Sequence, residues 1–532
     1  MNPKHGKARK PSVTPQPKDP STPRPVRRVR LTGALAGLLS LGLFLGVVEL
    51  FASLFGATSA PAIAIGESAI DRTPHQLKDF AIRQFGENDK TVLLTGIFVT
   101  LALLAAVAGL VASYEIRIGL AAIALLTVVA ALAALSRPTG GVGDMVPAFL
   151  GGLAALGALY VLRIRRSRQP EATGERTTIN RRQLLQYGLS VAAAAAAAGA
   201  AGRTILQHTA SAAASRLGVT IPAPASKAAA IVGEPAAGVP GSLPFFTPNA
   251  DFYRVDTALS VPQVDAGSWS LTIHGMVDKP LKVTYAELLA MPLVERDITL
   301  TCISNDIGGP YISNARWTGV LLAPLLEKAG IKAGATQILS RSVDGWTCGT
   351  PTSVVMDGRD AILAVAMNGE PLPLQHGFPV RMVVPGLYGY ASATKWVTDI
   401  ELTTFERKAY WITRGYAQLG PIKTQSRIDT PKPLANVSVG IVPIAGVAWA
   451  QHKGIEKVEI SIDGAAWMAA TLAAQDTTDT WRQWSFPWKA TAGAHRIAVR
   501  ATDKTGYVQT ATRKATYPDG ATGQQELLVT VA

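Results

Sequence analysis

Hydrophobic positions in this chain follow two rhythms, and the change between them near residue 205 divides it. Uninterrupted apolar runs occupy about 31–55, 91–113, 118–136 and 145–162, each long enough to cross a bilayer as a helix. A fifth run, Leu184 to about Ala201, is dominated by alanine and only weakly apolar. Beyond it lies an Ala/Pro/Gly-rich stretch, followed by short segments of mixed period. Trp269-Ser270-Leu271-Thr272-Ile273 and Asp297-Ile298-Thr299-Leu300-Thr301 alternate as strands do. Thr284-Tyr285-Ala286-Glu287 is a capping box opening a short helix that ends near Met291-Pro292. Trp317 to Gly330 reads as an amphipathic helix with glycine at its stop, and Met367-Asn368-Gly369-Glu370 as a hairpin turn. Short strands and helices in no regular alternation predict an α+β layer domain.

After about Thr430 the texture becomes strands alone. Val437–Val442, Val447–Ala450, Val458–Ile462, Trp484–Trp488 and Arg496–Thr502 alternate, with turns at Asp463-Gly464 and Asp503–Gly506. That pattern predicts a β-sandwich of immunoglobulin type. The chain therefore reads as multidomain: an α-helical transmembrane bundle, then an α+β domain, then a β-sandwich. The boundaries are a disordered basic tail (1–30), a transmembrane region of about five helices (31–205), a linker (206–244), the α+β domain (245–428) and the sandwich (429–532).

The net charge of +14 changes this picture only through its placement. Lys4, Lys7, Arg9, Lys10, Lys18, Arg24, Arg27, Arg28 and Arg30 crowd the tail, and Arg163, Arg165, Arg166, Arg168, Arg176, Arg181 and Arg182 crowd one loop. Cations beside apolar spans are a topology signal rather than a nucleic-acid footprint. They place the N-terminus in the cytoplasm of a bacterial cell, and five crossings of its membrane then put the large domain outside. Four crossings, with the fifth run a soluble Ala-rich helix, would leave that domain cytoplasmic. Asn180-Arg181-Arg182-Gln183-Leu184-Leu185 resembles a twin-arginine export motif, with Asn where Ser or Thr is usual. The four earlier spans are essentially free of ionisable residues, which favours an anchor or docking surface over a transporter.

Two cysteines, Cys302 and Cys348, rule out a disulfide framework and a Cys-rich zinc or iron–sulfur site. No Cys-x-x-Cys-His occurs, and none of the seven histidines lies inside an apolar span. No haem or iron–sulfur cluster is expected in this chain, so electrons would leave through an external cytochrome or quinone-linked partner. Cys302 ends the Asp297–Thr301 strand. A lone cysteine is most often a small buried hydrophobe; as a nucleophile it would need a base, and no histidine is near in sequence. As a soft thiolate ligand it needs a fixed strand end and positive surroundings. His376, Arg381 and Lys395, beside Gly/Pro turns and with Arg381 and Lys395 on successive expected strands, suit a phosphorylated cofactor.

Residues 245–520 resemble the sulfite oxidase family of molybdopterin-dependent oxidoreductases. The signatures are Thr299-Leu300-Thr301-Cys302-Ile303-Ser304-Asn305, Ala315-Arg316-Trp317, Met367-Asn368-Gly369-Glu370-Pro371-Leu372-Pro373, and His376-Gly377-Phe378-Pro379-Val380-Arg381 with Val383-Val384-Pro385-Gly386. The run Gly454 to Gly464 resembles the family's immunoglobulin-like dimerisation domain, which implies a homodimer. The resemblance implies a molybdenum-molybdopterin cofactor with Cys302 as protein ligand to the metal. It also implies that Asn305, Arg316, His376, Arg381 and Lys395 bind the cofactor, the last three at its phosphate end. Tyr416 falls near where the family places a tyrosine beside the metal's oxygen ligand.

The departures matter. Sulfite oxidases carry an arginine five residues after the metal cysteine, where this chain has Ile307, and an Arg-Asn-His run where it reads Asp256-Thr257-Ala258, with Arg254 out of register. A sulfite dianion wants several convergent cations. The expectation is a membrane-anchored oxidoreductase passing an oxygen atom to or from a small S- or N-oxide. Sulfite oxidation and a non-catalytic membrane-anchored assembly module are the alternatives.

Overall fold

The computed structural model describes residues 26–55, 61–74, 77, 80, 81, 84, 85, 88–137, 139–167, 181–209 and 212–532. The basic tail to residue 25 and Asn180 of the run that resembles a twin-arginine motif lie outside them. Six helices open the described chain: α1 (Val26–Phe55), α2 (Pro61–Arg72), α3 (Asp89–Ala112), α4 (Ile116–Leu135), α5 (Val146–Ser167) and α6 (Arg181–Thr209). Among the described residues four stretches are long and apolar enough to cross a membrane, Thr32–Ser53, Lys90–Ala112, Ile116–Leu135 and Val142–Leu162. The alanine-rich run forms α6, 29 residues long, as alanine's helix propensity favours.

The chain folds into two compact units. One comprises the described residues within Met1–Val48, Phe98–Val129 and Ala148–Gly199. Its helices approach through glycine. A Cβ at Gly33 would collide with Ser113, and one at Gly37 with the Ala105 carbonyl, so α1 and α3 run antiparallel. A Cβ at Gly188 would lie 3.4 Å from Leu39, and one at Gly46 would collide with the Ala195 carbonyl. Both partners advance together, so α6 runs parallel to α1.

The other unit comprises Glu49–Ile97, Ala130–Pro147 and Ala200–Ala532 within the described residues. In it, α2 is held to the turn after α4 by Arg137–Glu67 (2.6 Å) and by a Ser68–Ser136 hydroxyl pair (3.0 Å). After a short helix α7 (Ala212–Gly218), residues 219–244 lie against the following domain rather than forming regular structure. Arg216 donates to the Pro371 carbonyl (2.7 Å), and Ser226 bridges Val294.

Two sheets and three short α-helices, the last at Thr352–Val355, build the α+β domain. One sheet has the order β2 (Leu281–Thr284), β1 (Ser270–Gly275), β10 (Val397–Thr403), β5 (Gln337–Ser342), β6 (Thr347–Pro351). The other runs β3 (Val294–Thr301), β4 (Ile312–Leu321), β7 (Ile362–Met367), β8 (Glu370–Pro371), with β9 (Arg381–Val383) also on β7. Leu271, Ile273, Ile298, Trp317, Leu326, Leu363 and Ile400 fill the core. The Thr284 capping box forms and starts α8 (Tyr285–Leu289), and Asn368-Gly369, both at positive φ, turn β7 into β8.

One expected helix is shorter than its pattern. Trp317–Leu321 belongs to β4, hydrogen-bonded to β3 and β7 on both sides, and α9 covers only Leu322–Ala329 before Gly330 stops it in the left-handed region. Pairing on both edges outweighed local helical spacing. Lys395 likewise lies in the turn before β10, not on a strand.

The C-terminal region has two sheets, β11 (Gln425–Thr430), β13 (Gly440–Trp449), β17 (Arg482–Ala490), β16 (Thr471–Leu472) and β12 (Asn436–Val437), β19 (Gln525–Val531), β18 (Gly493–Asp503), β14 (Ile455–Ile462), β15 (Met468–Ala469), facing each other over Ile444, Val458, Trp484, Val499 and Leu527. The two expected strands Val437–Val442 and Val447–Ala450 are largely one, β13 (Gly440–Trp449). The strands Gln425–Thr430 and Gln525–Val531 were not expected.

At Gly319 the β4–β7 register slips, and a Cβ there would collide with the Leu363 carbonyl. Gly319→Ala is expected to lower stability by roughly 1–3 kcal/mol or more, read as a fall in melting temperature of the detergent-solubilised chain.

Candidate functional site

Strand β3 ends by delivering Cys302 to the wall of a cavity of ≈ 340 Å³. The loop that follows is stapled in place: the Cys302 N–H donates to the Tyr311 carbonyl (3.0 Å), and the Tyr311 N–H to Asn305 Oδ1 (2.9 Å). Ser304 N–H points at Cys302 Sγ (3.4 Å). Burial pushes the Cys302 thiol pKa up, while the Ser304 bonds and Lys395 pull against it. Cys348 is fully buried in the core and faces Thr350.

The cations come from a second locus. His376 closes a short 3-10 turn, and Gly377, at φ +111°, reverses the chain where a Cβ would press within 3.1 Å of both Arg381 and Lys395. Only glycine is at ease in that conformation and that space. The reversal lets Arg381 Nη1 donate to the His376 carbonyl (3.2 Å) while its guanidinium lies 5.0 Å from the Trp317 ring. Met382 N–H donates to the Thr394 carbonyl (2.8 Å), which draws Lys395 alongside β9.

Arg381 and Lys395 line the cavity with Cys302 and Tyr416. Tyr416 packs edge-on against Trp411 (5.1 Å) and Tyr517 (5.2 Å). His376 lies behind this wall, its ring edge-on to Phe252 at 5.4 Å. Asn305 is buried as the loop staple. Arg316 stands elsewhere, on β4, gripping Asp297 through two bonds of 2.8 Å with its guanidinium 5.1 Å from the Phe246 ring. The structure thus brings Cys302, Arg381, Lys395 and Tyr416 to one cavity, sets Asn305 and His376 behind its wall, and leaves Arg316 off it.

Residues the sequence did not single out complete the site. Lys395 Nζ donates to Asp256 Oδ2 (2.9 Å), as does Arg254 Nε (3.0 Å), and Lys90 Nζ bonds Oδ1. Tyr253, Tyr311, Trp346 and Trp411 add aromatic surface. Arg254 and Asp256 were visible only as an out-of-register remnant of an expected cationic run. Lys90, one residue ahead of an apolar run, carried no local signal.

The electrostatics are lopsided. Burial alone would raise the Asp256 carboxyl pKa, yet Lys395, Lys90 and Arg254 hold it far below the usual range. Burial pushes Lys395 down to about 8 and Arg381 down to about 10. Burial, then Lys395 and Arg381, push His376 down to about 3, so its ring is neutral. Burial and the nearby Cys302 raise Tyr253 well above a phenol's ordinary value, leaving its hydroxyl protonated. Buried cations outnumber buried anions here, a state that favours capture of an anion.

His376 Nδ1, Arg381 Nε and Asn305 Nδ2 are buried without a hydrogen-bond partner among the described residues. Among those residues no three His, Cys, Asp or Glu side chains converge on a metal position. Cys302 can offer one soft ligand to a metal that brings others of its own. A thiol, surplus cations and unspent donors around one cavity fit a phosphorylated cofactor carrying its own metal ligands.

Residues 258–411 match the family model described as oxidoreductase molybdopterin binding domain. The chain is 34 % identical over 156 residues to the uncharacterized oxidoreductase YuiH of Bacillus subtilis, covering 29 % of this chain and 76 % of that protein. It is 29 % identical over 302 residues to mitochondrial sulfite oxidase of Homo sapiens, covering 48 % of this chain and 55 % of that protein. The chain thus spans about half the length of the sulfite oxidases it matches. Among solved structures, sulfane dehydrogenase SoxCD from Paracoccus pantotrophus aligns with TM-score 0.48 and 25 % identity, over 54 % of this chain and 81 % of that one.

Asp256→Asn is expected to cost about 3–5 kcal/mol, because it strands buried cations. Because the folded carboxyl titrates below its unfolded value, its contribution is complete above about pH 4 and is lost as pH falls through the folded value. Melting curves of wild type and variant against pH should converge only in that acid range.

Proposed function

The chain belongs to the sulfite oxidase family of molybdopterin-dependent oxidoreductases, and on that premise we propose that it is a membrane-anchored enzyme moving an oxygen atom and two electrons to or from a small S- or N-oxide. The observation that carries this substrate class is how the cavity's cations are spent. Lys90, Arg254 and Lys395 all bond Asp256, and Arg381 is engaged with the His376 carbonyl and the Trp317 ring. What charge is left is matched to a cofactor phosphate, and the other cavity residues are largely aromatic and aliphatic. Ile307, where an arginine was expected, packs toward Gly523 instead of lining the cavity. A neutral oxide suits such a wall better than a dianion.

When bound, molybdenum-molybdopterin supplies a two-electron centre for oxygen-atom transfer. Cys302 would hold the metal, and Arg381, Lys395 and His376 the phosphate end. Tyr253 offers a protonated hydroxyl toward the substrate space, and Tyr416 lines it. In the reducing direction, a sulfoxide takes two electrons and two protons to give a sulfide and water, the electrons coming from a cytochrome or quinone-linked partner. The facing C-terminal sheets suit an immunoglobulin-type sandwich able to mediate homodimerisation.

The topology reading is five crossings, with a cytoplasmic N-terminus and the catalytic domain outside a bacterial cytoplasmic membrane. Two contacts support it. Helix α6 runs parallel to α1, so the two cross in the same sense. Lys90, on the connection between the first two spans, bonds Asp256 of the catalytic domain. After four crossings the chain is back on the side from which it began. A fifth is needed for that domain to meet this connection.

The wild-type chain should carry about one molybdenum and oxidise a reduced viologen with an oxide acceptor. Cys302→Ser should lose the metal, its optical charge-transfer band and at least about 100-fold of turnover. Turnover of sulfite with ferricyanide but of no oxide would reverse the substrate assignment; an unchanged variant would favour the non-catalytic module. For topology, a protease added to intact spheroplasts should cleave the C-terminal domain. Protection there, or export unaffected by changing Arg181 and Arg182 together to Lys, would remove the corresponding part of the proposal.

A further inference from the structure

The cavity that holds Cys302 is not made by the catalytic domain alone. Ile70 and Thr73 at the end of α2, Leu77 and Ala81 beyond it, and Lys90 and Leu93 in the first turns of α3 line it too. We propose that this connection between the first two membrane spans is the substrate-facing wall of the active site, with Ile70 and Leu77 setting specificity and Lys90 positioning the wall. This rests on the reading of the cavity as the cofactor and substrate site.

Three observations carry it. First, the connection is fixed at both ends. Arg137–Glu67 and Ser68–Ser136 hold α2, and a Cβ at Gly66 would lie 2.5 Å from Leu259 of the catalytic domain. Lys90 Nζ holds the start of α3 by bonding Asp256 and donating to the Ala258 carbonyl (2.8 Å). Second, one carboxylate joins wall and cofactor pocket: Oδ1 takes Lys90, and Oδ2 takes Lys395 and Arg254. By sharing the Asp256 charge, Lys90 leaves more of the Lys395 charge for an anion in the cavity. Third, the contacts other than Lys90 are small or aliphatic, and Leu77 is largely exposed while touching the cavity, which places it at the rim. Such a wall recognises an apolar substituent on an otherwise neutral oxide.

The test uses the full-length protein in detergent. Double substitution Ile70→Ala with Leu77→Ala should lower the kcat/KM ratio of methyl p-tolyl sulfoxide over dimethyl sulfoxide by about ten-fold, the scale of lost methylene contacts. A second readout avoids turnover. In full-length chain made without the cofactor, Cys302 is the accessible thiol of two, since Cys348 is fully buried. Lys90→Met should raise the rate of Cys302 labelling by a bulky maleimide by at least about 100-fold, the loss of one ion pair of this kind, and Lys90→Arg should restore it. An unchanged specificity ratio together with unchanged labelling would overturn the wall. If wild type reduces neither sulfoxide, the oxide reading fails, and labelling alone then decides the wall.

Discussion

Buried positive charge in excess of buried negative charge is the constraint around which the catalytic domain is arranged. Asp256 is the carboxylate bonded to Lys395, Arg254 and Lys90, while Arg381 has none bonded to it among the described residues. The strain appears as Lys395 and Arg381 pulled down to about 8 and 10 by burial. An ammonium and a guanidinium kept out of water are tolerable when an anion completes the set. A cofactor phosphate meets that requirement.

The fold meets the constraint through backbone geometry more than through side-chain choice. Gly377 reverses the chain so that His376, Arg381 and Lys395, scattered over twenty residues, share one corner. Trp317, fully buried and bonded to the Ile298 carbonyl (3.0 Å), supplies both core volume and a face for Arg381. Strand β3, in the same sheet as β9, then presents Cys302 on a loop whose amides are spent on Asn305 and Tyr311. Thiol and cations thus approach from different elements, and each is rigid before any ligand arrives.

Much of this was legible in the sequence, and the gaps have physical causes. Local signals held where local energy decides: the Thr284 capping box, the Asn368-Gly369 hairpin, the Gly330 helix stop and the strand ending at Cys302. They failed where pairing partners decide, as at Trp317–Leu321, whose apolar spacing suits a helix until β3 and β7 claim both its edges. Of the site, Cys302, Arg381, Lys395 and Tyr416 were named and share the cavity. Arg316 was named too, but its guanidinium is committed to Asp297, a contact between strands that spacing does not reveal. Asp256 and Lys90 were missed because a carboxylate and a membrane-edge lysine 166 positions apart carry no joint signature.

The pairing of those two residues ties the start of an apolar helix to the catalytic domain. A lysine at the end of a membrane span ordinarily rests in the headgroup layer, where it is hydrated and screened. Here its ammonium bonds a buried carboxylate, at a cost in desolvation that only a close partner offsets. The partner in turn tempers Lys395, so the potential in this corner depends on where helix α3 begins.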